Sequence, residues 1–411
     1  MLKGKHIVLG ISGGIAAYKT PMLIRLFVKE GAEVRVVATH NALEFVTPLV
    51  LETLSGNKVY TDVFASGNDH TTEHVSLPDW ADLMVVAPAT ANIIGKMANG
   101  IADDALSTTF LAMRKPVLVA PAMNEGMLAH PAVQSNIQRI NAFPHCTVLP
   151  TEDGFLACGA IGQGRMLEPD AICRQSNALL VEQDLKGRRI LITGGPTREK
   201  LDPVRFISNF SSGKMSISIA EECAQRGAEV LFVLGPCNLR PTQLPLNPMR
   251  MMVVESAEEM LNATEKAFSE ADTTILCAAV ADYRPAHYST EKIKKEPPDQ
   301  KHDTALQLVE NADIAARLGV LKRPGQTLVG FALETSNAKC NALDKMHRKN
   351  LDFIVLNSLE DAGAGFGCDT NKITIYSSAG ISKVFPLQSK REAATCIINA
   401  IIGREEAKGE R

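Results

Sequence analysis

At 411 residues the chain is longer than one ordinary hydrophobic core sustains, so two or three domains are expected. Its 45% apolar and 22% charged residues suit a globular protein, and a net charge of −3 excludes a general attraction to nucleic acid or an acidic membrane. Nine scattered cysteines without a CxxC pair argue for a reducing compartment, against a disulfide scaffold and against a cysteine-rich zinc site.

The N-terminal stretch "LKGKHIVLGISGGIAA" superficially resembles a signal peptide, but its apolar run is short and broken by Gly10, Gly13 and Gly14. No segment reaches the ~18 uninterrupted apolar residues of a membrane helix. A cytoplasmic location is the expectation.

The same stretch reads as a buried strand ending in a glycine turn, and "LKGRRILITGGPT" repeats it from Leu185. The echo continues: "GAEVRVV" (31–37) recurs as "GAEVLFV" (227–233), and "ADLMVVAPAT" (81–90) as "ADTTILCAAVADY" (271–283). "KPVLVAPAMN" (115–124) is likewise matched by "GQTLVGFALET" (325–335). Short β-branched runs ending in small residues suit strands of a parallel sheet with ligand loops at their carboxyl ends. "AAYKTPMLIRLFVKEG" and "SISIAEECAQRG" have helical periodicity. The fold class is therefore α/β, with two doubly wound, Rossmann-like domains, the first flavodoxin-like. The boundaries are 1–185 and 186–411, with "VEQDLKGRR" as linker. Leu2 and Gly31 lie 29 positions apart, whereas Leu185 and Gly227 lie 42 apart. The extra length, around "TREKLDPVRFISNFSSGK", falls where such folds bind substrate.

In the first half, "GISGGIAAYK" lacks both GxGxxG and GxxxxGK[ST], so a mononucleotide fits better than a dinucleotide or a P-loop triphosphate. A tight strand–helix turn explains it equally well when taken alone. "APATANIIGK" and "APAMNEGM" are small-residue loops with room for a planar ring, and Thr90, Asn92 and Asn124 supply hydrogen bonds. His74, read as a loop residue before a strand, suits a general base, although a surface histidine has the same signature. His70-Thr-Thr-Glu-His74 also matches the H-x-x-E-H zinc motif, which needs a helix and a further ligand that the flanking sequence does not indicate. Cys158, in "GFLACGAIGQGRM", reads as a thiol on a flexible flap or as an inert small residue.

In the second half, "RFISNFSSGK" offers Arg205, Asn209, Ser211, Ser212 and Lys214 to carboxylate or phosphate. "AAVADYRP" adds Asp282, "EKIKKE" clusters Lys292, Lys294 and Lys295, and Lys345 and Lys349 share a helix face at i,i+4.

Taken in order, "SGGIAAYK", "PATANIIGK", "PAMNEGM", "ACGAIGQGRM", "TGGPTRE", "LDPVRFISNFSSGKM", "AAVADYRP" and "EKIKK" resemble one family across nearly the whole chain. It is the bacterial bifunctional phosphopantothenoylcysteine decarboxylase/phosphopantothenate–cysteine ligase family. The first half also resembles the wider flavin-containing cysteine decarboxylases. The resemblance implies FMN at Ser12, Gly13, Thr39, Ala89, Thr90, Ala91, Asn92 and Ala122. It makes His74 the base, Cys158 the proton donor and Asn124 the holder of the substrate carboxylate. Oxidation of the cysteinyl thiol to a thioaldehyde, loss of CO₂ and return of hydride would follow, with the flavin as redox carrier.

For the second half it implies CTP at Leu276, Cys277, Ala278, Asp282, Lys292, Ala312, Asp313, Ile314, Ala315, Phe331, Lys345 and Lys349. The carboxylate of 4′-phosphopantothenate would form an acyl-cytidylate, and cysteine would displace CMP. Lys292 would neutralise the departing pyrophosphate and Asn209 bind the acyl carbonyl, with Arg205 and Ser212 on the substrate and Mg²⁺ on the triphosphate. The metal ligands are not indicated. Two departures, Leu128 and Leu333, concern local packing. Relatives that only hold flavin as regulatory subunits lose the His or the Cys, whereas both match here. Decarboxylase trimers joined by ligase dimers into a dodecamer are the expected assembly.

Overall fold

Near-continuous apolar runs become parallel strands buried on both faces in each half of the chain. The computed structural model describes residues 2–63, 73–155, 161–294, 305–334, 337–358 and 368–403. Two units separate by internal contacts: Met1–Glu182 with Leu244–Leu246, and Gln183–Gln243 with Asn247–Arg411.

The N-terminal unit runs β1 (His6–Ile11), α1 (Thr20–Lys29), β2 (Glu33–Ala38), α2 (His40–Leu43), α3 (Pro48–Ser55), α4 (Glu73–Trp80), β3 (Leu83–Ala89), α5 (Ala91–Asn99) and α6 (Ala105–Ala112). It continues through β4 (Val117–Pro121), α7 (Glu125–Ala129), α8 (Pro131–Asn141), β5 (Cys146–Val148), β6 (Glu152–Phe155), β7 (Ile161–Arg165) and α9 (Pro169–Leu180). Its main sheet is parallel, in the order β2-β1-β3-β4-β5. Period-two alternation sends Ile7, Leu9 and Ile11 to a core with Leu23, Ile24 and Phe27 of α1. Val8 goes to the opposite core with Ile93 and Met97 of α5 and Phe110 of α6.

Two local expectations are corrected. The stretch read as one helix from residue 16 begins as a 3₁₀ turn, Ile15–Lys19, and becomes α-helical only at Thr20, because Pro21 suits a helix's first positions but not its interior. His74 stands in the first turn of the helix α4 rather than in a loop.

The C-terminal unit begins with β8 (Arg189–Gly194), β9 (Arg198–Lys200), β10 (Phe206–Ser208), α10 (Lys214–Gln225), β11 (Glu229–Leu234), β12 (Arg250–Val253), α11 (Ala257–Phe268), β13 (Thr273–Leu276), β14 (Tyr283–Pro285) and β15 (Leu308–Glu310). Then come α12 (Ile314–Leu321), β16 (Thr327–Glu334), α13 (Ala338–Arg348), β17 (Phe353–Ser358), β18 (Thr370–Asn371), β19 (Ile373–Ser377), β20 (Ser382–Val384), β21 (Gln388–Ser389) and α14 (Lys390–Ile401). The large sheet has the order β12-β11-β8-β13-β16-β17-β19-β20. It is parallel as far as β17 and antiparallel beyond. The extra sequence after β8 forms the β9–β10 hairpin.

Strand order reverses between β1 and β3 in the first sheet and between β8 and β13 in the second. Connections leave such a pair on opposite sides, opening a crevice at their carboxyl ends where α/β sheets bind ligands. Most of the residues expected at the two sites lie at these crevices.

Candidate functional sites

At the N-terminal crevice, the loops after four strands are tied to one another. Ser12 is 2% exposed; its Oγ donates to the Pro88 carbonyl at 2.7 Å and accepts from the Thr90 N–H at 3.0 Å. Thr39 N–H donates to the Ile11 carbonyl, and Ala122 N–H to the Ala89 carbonyl. Thr90 caps α5, presenting Ala91 and Asn92 in its first turn. The structure thus brings Ser12, Gly13, Thr39, Ala89, Thr90, Ala91, Asn92 and Ala122 together at the carboxyl end of the sheet.

Two observations fit a bound mononucleotide. A Cβ on Gly13 would lie 2.4 Å from the Asn41 Cβ, so only glycine keeps the backbone this close. The buried Thr39 Oγ1 has no hydrogen-bond partner among the described residues, an unmet polar atom that a ligand would satisfy.

Asn124 caps the short helix α7 by accepting the Gly126 N–H on Oδ1 at 2.9 Å. The hairpin β6–β7 leans on this loop. Met123 N–H donates to the Gly164 carbonyl at 3.0 Å, and a Cβ on Gly164, at φ +122°, would strike the Met123 carbonyl oxygen. Cys158 belongs to the connection between these strands and lies outside the described residues, as does His70. His74 Nδ1 is buried without a partner among the described residues. Tyr60, a buried neighbour that the sequence did not flag, has its hydroxyl pushed up by burial and then by the Glu73 charge. Among the described residues no three His, Cys, Asp or Glu side chains gather to hold a metal.

The C-terminal crevice is a cavity of about 700 Å³. Every residue expected at the nucleotide lines it except Lys292, and Asn209, Ser212 and Lys214 line it too. Its floor depends on glycine: a Cβ on Gly194 would meet Ser216 Oγ at 2.1 Å, so "TGG" lets the first turn of α10 close over the end of β8. Gly213 (φ +76°) begins α10 without a side-chain cap, and Gly213, Lys214, Met215 and Ser216 line the cavity. An uncapped helix N-terminus of this kind favours phosphate.

Two lysines in the cavity have protein partners. Lys349 Nζ meets Asp313 Oδ2 at 2.7 Å, and Lys345 Nζ donates to the Phe331 carbonyl at 2.9 Å. Burial, then the Lys349 charge, holds the Lys345 ammonium below the usual lysine value. Burial pushes Asp313 up, but Lys349 and the Ala316 N–H outweigh it and its carboxyl is lowered. The Cys277 thiol is pushed up to about 12 by burial, so it stays neutral and unreactive.

Three expected residues have other positions or partners. Lys292 is exposed on residues 291–294, outside the cavity lining. Arg205 also lies outside the lining; its guanidinium binds Asp202 and donates to the Ile293 carbonyl at 2.7 Å. Asp202 in turn accepts the Ile293 N–H at 3.1 Å, so this pair staples the backbone beside Lys292. Asn209 Nδ2 donates to the Ala279 and Val280 carbonyls at 3.0 and 3.1 Å. Both of its N–H bonds are therefore engaged, and contact with an acyl carbonyl needs the amide to turn. The sequence also missed Asn311, beside the expected Ala312, and Asn357, Asn371 and Lys390, which β17, β18 and α14 carry far along the chain into the lining.

Comparison with known proteins covers both units. Residues 1–180 match the family model described as flavoprotein, and residues 185–404 match the DNA/pantothenate metabolism flavoprotein C-terminal domain. The chain is 42% identical to the coenzyme A biosynthesis bifunctional protein CoaBC of Bacillus subtilis (strain 168), covering 100% of both chains. Identity to the protein of the same name from Escherichia coli (strain K12) is also 42%, again over 100% of each. A cysteine/cysteine sulfinic acid decarboxylase from an unknown prokaryotic organism is 47% identical over 87% of this chain and 99% of that protein.

Proposed function

The chain belongs to the bifunctional coenzyme A biosynthesis family that joins a flavoprotein decarboxylase to a phosphopantothenate–cysteine ligase, and we propose that its two crevices divide that work residue by residue. The enzyme ligates 4′-phosphopantothenate to cysteine and decarboxylates the product to 4′-phosphopantetheine.

In the N-terminal unit, Ser12, Gly13, Thr39, Ala89, Thr90, Ala91, Asn92 and Ala122 hold the flavin, as FMN. The unmet Thr39 hydroxyl and the Gly13 close approach support this. When bound, the flavin supplies reversible two-electron oxidation of the cysteinyl side chain. His74 takes the proton released from the substrate, Asn124 orients its carboxylate, and Cys158 returns a proton after CO₂ leaves.

In the C-terminal unit, the carboxylate oxygen of 4′-phosphopantothenate attacks the α-phosphorus of CTP, the bond to the β-phosphate breaks, and its electron pair departs with pyrophosphate. Cysteine's amine then displaces CMP. Asp282, Asp313, Lys345 and Lys349 bind the nucleotide, and Lys292, on its exposed segment, folds in over the departing charge. Mg²⁺ arrives with the triphosphate, needing few protein ligands. Asn209 contacts the acyl group once its amide turns, and Ser212 and Arg205 position the substrate. The observation that carries this reading is the convergence of eleven of the twelve expected nucleotide residues on one cavity.

Trimers of the decarboxylase half joined by dimers of the ligase half make a dodecamer in this reading. The exposed edge strand β12, with Met251, Met252 and Val253, and the 93% exposed Phe210 support pairing of ligase halves.

The test is an absorption spectrum followed by mass analysis after adding 4′-phosphopantothenate, cysteine, CTP and Mg²⁺. Flavin bands with 4′-phosphopantetheine, CO₂, CMP and pyrophosphate are expected. Flavin with the product stalled at phosphopantothenoylcysteine would reduce the first unit to a binding module. CO₂ released from cysteine alone would point to the free amino acid as its substrate.

A further inference from the structure

We propose that Lys390 grips the terminal phosphates of the nucleotide and takes up charge on the departing pyrophosphate, an inference that rests on the C-terminal cavity being the CTP site.

Lys390 opens α14 yet is only 7% exposed, and it lines the cavity. Among the described residues its ammonium makes no ion pair and no side-chain hydrogen bond. Other lysines withdrawn from solvent differ. Lys19, buried at 6% exposed, is bound to Glu168 and the Met166 carbonyl, and the half-buried Lys322 and Lys349 each hold a carboxylate. A buried ammonium without a counterion is costly, and a protein retains one where a ligand anion completes it.

The surrounding wall points to that anion. Ser389 and Glu392 close a capping box, and the Lys390 N–H donates to the Asp369 carbonyl, so the start of α14 satisfies itself and only the side chain remains for a ligand. Asn371, 3% exposed, and Asn357 each have a buried Oδ1 without a partner, and both line the cavity. Either amide, turned, offers donors to phosphate oxygens. Lys214 and the uncapped start of α10 share the lining, and Asp369, which holds Lys214 at 2.6 Å, is the carboxylate beside them. Burial, then the Lys214 charge, lowers the Lys390 ammonium, and the nearby Asp369 carboxylate offsets this only in part. Lys214 and Lys390 also line a second groove of about 340 Å³ together with Arg240, Arg391 and Asp369, so its charged lining is mostly basic. The carboxylates Asp282 and Asp313, also in the lining, suit the uncharged base and sugar rather than a polyanion.

One other anion has the same chemistry, the phosphomonoester of 4′-phosphopantothenate, and the experiment separates them. CTP and CMP binding, each with Mg²⁺, is measured by calorimetry on the full chain for the native protein, Lys390→Gln and Lys390→Arg, alongside steady-state KM for 4′-phosphopantothenate. Lys390→Gln should weaken CTP about 10- to 100-fold while CMP, which lacks the terminal phosphates, and the 4′-phosphopantothenate KM change little. Lys390→Arg should recover most of the CTP affinity. Unchanged CTP affinity in Lys390→Gln overturns the inference, as does a rise confined to the 4′-phosphopantothenate KM. Equal loss of CTP and CMP with no rescue by arginine marks a structural role and overturns it too. A native chain that binds neither nucleotide overturns the CTP-site reading itself, and this inference with it.

Discussion

His74, the base of the proposed decarboxylation, has a buried Nδ1 that meets no protein partner among the described residues, so in that reading its removal touches chemistry more than packing. His74→Asn should abolish CO₂ release while the flavin bands and CTP-dependent pyrophosphate release persist, read by absorbance and mass analysis on one sample. Lys345 sets a pH dependence. Its ammonium is held below the usual 10.5 by burial first and Lys349 second, and in the proposed reading the charged form is the one that binds the nucleotide. As pH rises, the charge is therefore lost earlier than from a free lysine. The kcat/KM for CTP should fall on an alkaline limb lying below 10.5, and Lys345→Arg should move that limb upward. Most of these side chains were legible as motifs. Lys390 was not, because a lysine opening a terminal helix looks like any solvated charge until its burial is known.

The β6–β7 hairpin and the 202–205 turn are small elements that brace segments bearing proposed site residues. At Gly164 both the positive φ and the 2.2 Å approach to the Met123 carbonyl oxygen exclude a side chain. Gly164→Ala should cost roughly 1–3 kcal/mol in local strain. Because the hairpin leans on the Asn124 loop, decarboxylation should fall sharply while ligation is unaffected, read by product mass. Asp202 is buried, and the Arg205 guanidinium holds its carboxyl well below the usual carboxylate range. The staple is therefore fully formed above about pH 4 and is lost only as pH falls further, through the lowered folded value. Asp202→Asn should loosen the segment bearing Lys292 and reduce pyrophosphate release about 10-fold or more with little change in CMP affinity. The glycine-rich character of the flap was readable from sequence. The Asp202–Ile293 bond, spanning 91 positions, was not.

Each unit owns a sheet, helices on both faces of it and a crevice at its own strand reversal. Separately produced chains of residues 1–182 and 183–411 should therefore each retain one half-reaction. The first should bind flavin and decarboxylate added phosphopantothenoylcysteine, and the second should release CMP and pyrophosphate. Two inactive pieces would show that each site needs the joined chain.

The doubled strand-and-glycine openings, the apolar runs of β1, β3, β8 and β13 and the ordered motifs are local patterns, and they made the α/β architecture, the two-part organisation and the family legible without coordinates. Local sequence has no access to the energy of distant neighbours. It therefore could not show that Pro21 delays α1, that His74 opens a helix, or that Arg205 and Asn209 bind protein carbonyls before any substrate arrives. Nor could it find Asn357, Asn371 and Lys390, which line one cavity with Lys214 and Ser212 only because the fold brings the ends of β17, β18 and α14 to the same crevice as the start of α10. Burial, the partner that a charge finds and the space a Cβ would occupy arise when remote segments share a volume, so they were decided by the packed chain.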